Sequence, residues 1–175
     1  MILPTAYFAP LGWFEHYMQG DAVIEAYESF SKQTFRNRCV ILSPQGERLT
    51  LSVPVRKAGS KQLTKDVEIS YNTHWQHIHR QAIMSAYRRT PYYDYYEDYL
   101  IPIFEHRYKW LIDLNHATAE TTVALLSNTM PTENEAGLPH ITSDWQGQDI
   151  DRYWGDETSI LDKLFRYGPE TMTYF

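Results

Sequence analysis

Trp75-Gln76-His77-Ile78-His79-Arg80-Gln81-Ala82-Ile83-Met84-Ser85-Ala86-Tyr87 is the stretch at which the apolar period of this chain changes. Trp75, Ile78, Ala82, Ile83, Ala86 and Tyr87 follow the spacing of one face of an α-helix, and Asn72 or Thr73 is the predicted cap. Upstream the period is that of strands. Leu49, Leu51, Val53 and Val55 alternate with Arg48, Thr50 and Ser52, and Pro54, which cannot donate to a ladder, predicts an edge. In Asn37–Ser43 the apolar residues fall on both faces, Cys39 and Ile41 one way and Val40 and Leu42 the other, which predicts a strand covered on both sides. Ser43-Pro44-Gln45-Gly46 between these two runs fits a type I turn.

Further out, Ile2–Phe8 and Val23–Tyr27 read as strands flanking a helix that opens at Pro10, carries Leu11, Phe14 and Met18, and stops at Gly20. Ala58–Thr64 reads as a loop, and Val67 and Ile69 as one more strand. Downstream of Trp75 the pattern is helical. Thr90-Pro91 opens a helix that Pro102 kinks or divides, and Phe104, Tyr108, Leu111, Ile112, Asn115, Ala119, Val123 and Leu126 continue as a long amphipathic one. Residues 128–155 hold no period and read as irregular. Ser159–Tyr167 is a closing helix capped by Gly168 and stopped by Pro169. Strands early and helices late predict an α/β (or α+β) single domain over 1–175, with a small mixed sheet from the N-terminal half covered by C-terminal helices.

Composition narrows the function. With 175 residues, 43% hydrophobic and 22% charged, the chain suits one globular domain, and no apolar run approaches a membrane span. The N-terminus lacks a basic, apolar leader, so a cytoplasmic location is the expectation. A single cysteine excludes a multi-Cys zinc site. Net charge is −6, yet residues 1–65 carry eight Lys/Arg against five Asp/Glu, while residues 66–175 carry eight against seventeen. Between Ser31 and Lys65 the eight cations face only Glu47. An acidic chain is a poor nucleic-acid binder, whereas a local basic segment fits a small anionic ligand. The other account of that segment is a solvated strand surface.

Several residues invite chemistry. His79 lies on the apolar stripe between Trp75 and Ile83, so it is either a satisfied core histidine or a general base. His74 and His77 neighbour each other on a helix, but His79 sits about 200° round from His77, so the three do not share a metal. Arg38 opens the central strand, where its fork suits a carboxylate or phosphate; a structural pair with Asp66 or Glu68 explains it equally well. Cys39 beside Arg38 is either a packing residue or a thiolate. Aromatic residues make up 15%, seven of the fourteen Tyr fall between Tyr87 and Tyr108, and the run Tyr92, Tyr93, Tyr95, Tyr96 and Tyr99 either stacks a ligand or lines a helical layer.

Taken in order, Ala6-Tyr7-Phe8-Ala9-Pro10, Phe35-Arg36-Asn37-Arg38-Cys39, Leu51-Ser52-Val53-Pro54-Val55, Trp75 with His79, Ala86-Tyr87, and Ser159–Phe165 followed by Gly168-Pro169-Glu170 resemble the WbqC-like family of bacterial proteins, encoded among surface-polysaccharide genes. The resemblance runs through most of residues 2–125 and over 158–175. It implies Asn37, Arg38, Trp75, His79, Asp162 and Gly168 as family positions. Thr5-Ala6 stands where the family commonly has Gln-Pro, and Asn128–Trp154 is shorter than the family's usual segment.

Residues and resemblance together lead to a cytoplasmic enzyme of surface-polysaccharide biosynthesis that modifies a sugar or nucleotide-linked sugar by acyl or aminoacyl transfer. Arg38 would hold a carboxylate or phosphate, Asn37 orient it and His79 act as base. Asp162 would orient His79 or close the site. Tyr7, Trp75, Arg36 and Cys39 are the lining candidates. The expected partner is a sugar phosphate, nucleotide sugar or acyl donor, with no metal, no assigned cofactor, and self-association compatible with the sequence. The alternative is a non-catalytic binding or scaffold protein of the same pathway that presents the Tyr-rich helical face.

Overall fold

In the computed structural model, which describes residues 2–19, 22–57, 61–127 and 158–175, the first three elements are strand, helix and strand. β1 (Ile2–Pro4) and β2 (Val23–Glu25) pair in parallel, and α1 (Leu11–Met18) is the crossover that parallel pairing requires. Pro10 precedes α1 in extended conformation, and the Trp13 indole donates to the Pro4 carbonyl at 2.8 Å, tying helix to strand.

β3 (Arg38–Leu42) and β4 (Arg48–Ser52) form an antiparallel hairpin in the register Arg38↔Ser52 to Leu42↔Arg48. Its turn is the predicted type I geometry: the Gly46 N–H reaches the Ser43 carbonyl at 2.9 Å. Gly46 itself has φ +84°, the left-handed residue that closes a three-residue hairpin loop. The sheet is therefore two separate pairs among the described residues, one parallel and one antiparallel. Cys39 and Ile41 are buried but Val40 and Leu42 only half so, so the Val40 face is only partly covered; Leu49, opposite Ile41 on the inner face, is exposed at the hairpin tip. After a 3-10 turn at Thr64–Asp66, Glu68 and Ile69 make isolated bridges, to Trp110 and Val55, and Val67 makes none, so no further strand forms here.

α2 (Trp75–Tyr87) buries Trp75, His79, Ile83, Ala86 and Tyr87. Its cap is His74, one residue beyond the predicted positions, and Ile78 lies off the buried stripe and is exposed. α3 (Tyr93–Glu105) runs through Pro102. The long helix predicted from Phe104 starts only at Leu111, as α4 (Leu111–Leu126). The reason is tertiary: residues 106–110 leave helical geometry to bond residues 67–69, with Ile69 N–H on the Lys109 carbonyl at 3.0 Å and Leu111 N–H on the Val67 carbonyl at 2.9 Å.

α5 (Ile160–Tyr167) is capped by the Ser159 hydroxyl, which accepts from Leu161 N–H, and ends at Gly168, φ +55°. A 3-10 segment, Gly168–Tyr174, follows. Residues 158–160 tie β3 to the segment just ahead of α1: Ser159 N–H bonds the Val40 carbonyl at 2.7 Å and Ile160 N–H the Ala9 carbonyl at 2.9 Å. Ile160, Leu161, Leu164 and Phe165 are wholly buried, each adding about 1.5–3 kcal/mol of burial, so α5 is an internal strut of the core. The Gly20 stop, residues 58–60 and the stretch Asn128–Trp154 lie outside the described residues.

Candidate anion-binding site

The segment ahead of β3 is held from four directions. Tyr7 N–H bonds the Phe35 carbonyl at 2.8 Å, and the Asn115 amide donates to the Arg36 carbonyl at 2.8 Å. The Asn37 amide donates to the Val53 carbonyl at 3.2 Å, while its oxygen accepts from Gln33 N–H at 3.2 Å. Arg36 is bound bidentately by Glu28, Nε to Oε1 at 2.5 Å and Nη2 to Oε2 at 2.8 Å, with both side chains buried. A fork used this way is structural: Arg36 and Asn37 brace the loop and do not present their polar atoms to a ligand.

Arg38, the next charged residue, is different. Strand parity turns Cys39 and Ile41 into the core and Arg38 and Val40 to the other face. There the hairpin register sets Thr50 and Arg48 beside them. Together with Gln33, Thr34 and Phe35 these residues line a groove of about 350 Å³, at the lower end of the range for small-molecule sites. The acidic partners proposed for Arg38 are taken: Glu68 by Arg56 at 3.2 Å and Asp66 by Lys65 at 3.3 Å. Among the described residues Arg38 makes no ion pair, and its Nε is buried without a hydrogen-bond partner. A planar cation with a desolvated, unused donor in a groove is suited to a carboxylate or phosphate. Arg48, which also lines this groove, was not among the sequence candidates, although the turn and strand parity place it on the Arg38 face.

His79 is elsewhere. Its ring is buried and does not line this groove. The Tyr7 hydroxyl contacts Nδ1 at 2.9 Å, and the main chain of Ser52 hydrogen-bonds the ring as well. Burial holds the imidazole pKa down at about 4 despite the Ser52 bond, which favours the charged form. A neutral ring whose Nδ1 accepts from Tyr7 and whose other nitrogen donates to a main-chain carbonyl satisfies both contacts. Trp75 packs edge-on against it at 5.1 Å between centroids, and the Trp75 indole nitrogen is buried without a partner. Tyr7 and Cys39 border the same interior, and burial pushes the Cys39 thiol and the Tyr7 phenol well above their usual ranges. Cys39 is thus a packing thiol, not a thiolate.

Asp162, expected to orient His79 or close the site, instead accepts from Arg166 Nε at 2.9 Å and hydrogen-bonds Tyr87. The Tyr87 oxygen in turn accepts from Leu42 N–H at 3.1 Å, so Asp162 braces the far end of β3. The named residues therefore divide into a brace (Arg36, Asn37), a buried cluster (Tyr7, Cys39, Trp75, His79), a C-terminal tie (Asp162) and one groove residue, Arg38.

A family model described as the WbqC-like protein family matches residues 5–149. The chain belongs to the WbqC-like protein family. The WbqC-like match takes in the brace, the buried cluster and Arg38, while Asp162 and Gly168 fall beyond its last residue. No curated protein and no solved structure matches the chain.

Proposed function

We propose that this protein binds a small anionic ligand, of the class of sugar phosphates, nucleotide sugars or acyl donors, in the groove beside β3 and β4, with Arg38 as its anchor. The observation that carries this reading is the Arg38 guanidinium, which lines the groove with a buried and unpartnered Nε. The excess of cations between Ser31 and Lys65 supports it by drawing anions toward this end of an acidic chain. The family's surface-polysaccharide context is the setting in which such a ligand is sought.

Binding fits the geometry better than acyl or aminoacyl transfer through His79. A base must reach the proton it removes, and the His79 ring is buried with its nitrogens engaged by Tyr7 and Ser52. The scaffold reading has less support: of the Tyr-rich run Tyr93 is buried, Tyr92, Tyr96 and Tyr99 are half-buried, and only Tyr95 stands exposed.

Calorimetric titration with a nucleoside diphosphate sugar, a hexose 1-phosphate and an acyl-coenzyme A tests the reading. At least one should bind wild type. Arg38→Ala should weaken it about 10–100-fold, the equivalent of losing one charge-assisted hydrogen bond. Equal affinity in wild type and Arg38→Ala would move the site away from this groove.

A further inference from the structure

His74 and His77, which share no metal with His79, have a different neighbourhood. They follow one another with Arg80 at three-residue steps on the exposed side of α2, and Arg107 faces them from just beyond the end of α3. These four side chains line a groove of about 240 Å³ in which Glu105 is the one carboxylate among the described residues. Among the described residues no group of three metal-ligating side chains occurs, so the histidines here lack the third ligand a metal needs.

We propose that this groove is a second anion-binding site, separate from that of Arg38, and that it takes a phosphate monoester. The argument starts from its setting. Residues 66–175 carry a net −9, eight cations against seventeen carboxylates, yet the groove gathers two arginines and two histidines around one carboxylate. That local reversal of sign favours an anion in this groove. The existing neutralisation is weak: Arg80 meets Glu105 at 3.7 Å, with both side chains in contact with solvent. Phosphate oxygens, which accept shorter charge-assisted bonds, can replace that contact. Arg107 is already held in place, its guanidinium 4.9 Å over the Tyr71 ring, so little freedom is lost when it engages a ligand. The small volume suits a head group and the first ring of its ester.

The test uses the full chain carrying Arg38→Ala, which silences the first groove, and follows the His74 and His77 ring-proton NMR signals during titration with inorganic phosphate at constant ionic strength. Both signals should move saturably as phosphate is added. Arg80→Ala and Arg107→Ala should each weaken binding about tenfold or more, and Glu105→Gln should tighten it. An unchanged His79 ring signal reports an intact fold in each variant. A linear drift without saturation overturns the proposal, as does Glu105→Gln leaving the affinity unchanged. Because Arg38 is absent throughout, this outcome is independent of the first groove.

Discussion

His79→Gln separates a buried latch from a catalytic base. In the folded protein burial holds the imidazole at about 4, against 6.5 for a free side chain, a gap of roughly 2.5 pH units. At ~1.4 kcal/mol per unit this is ~3 kcal/mol of stability. A depressed folded value means the unfolded chain takes up the proton first as pH falls. The contribution is thus complete above pH 6.5, declines below it, and is gone once pH passes through about 4. Urea unfolding followed at pH 7.5, 6, 5 and 4 should show wild type losing this increment, with other groups adding their own slope. His79→Gln should start less stable, by about 1–3 kcal/mol for disturbed buried hydrogen bonds, and lack that part of the decline. Parallel stability profiles for the two proteins, or a His79 ring signal titrating near 6.5, would refute the reasoning. A ligand that binds the Arg38 groove should bind His79→Gln with unchanged affinity wherever the variant is folded.

Other expectations follow from single contacts. Removing one partner of the buried Arg36–Glu28 pair, as in Glu28→Gln, should cost about 3–5 kcal/mol by chemical denaturation, and a double-mutant cycle with Arg36→Met should recover part of it. Gly168→Ala should destabilise by about 1–3 kcal/mol or more, because φ is +55° and a Cβ would stand 2.5 Å from the Tyr92 ring. Tyr92→Ala in the same chain should relieve the clash but not the backbone strain. Cys39 should react with a thiol reagent only as fast as the protein opens, so labelling should accelerate with urea in step with unfolding. Fast labelling of the native protein would show that the thiol is accessible.

Local rules were legible wherever a residue's neighbours in sequence are its determinants. The Ser43–Gly46 turn, the Ser159 and Gly168 ends of α5, and the alternation through β3 all follow from backbone preferences that act within a few residues. The same alternation carried Arg38 to the groove face. What misled was distance along the chain. Residues 106–110 keep a helical pattern, yet main-chain bonds to residues 67–69 outweigh it. The Val67 carbonyl and the Ile69 N–H then bond Leu111 and Lys109 instead of a strand partner.

The sequence by itself determined that the strands lie early and the helices late, that Trp75, His79 and Ile83 share a face, and that Arg38 sits at the start of a strand. It left open whether that arginine and that histidine meet. Tertiary structure decided this, through the burial of His79 against Tyr7 and Ser52, the capture of Arg36 by Glu28 and of Asp162 by Arg166, and the pairing of Glu68 with Arg56. The physical reason is that a charged or polar side chain takes the partner that desolvates with it, and that partner is chosen by packing in space rather than by order in the chain.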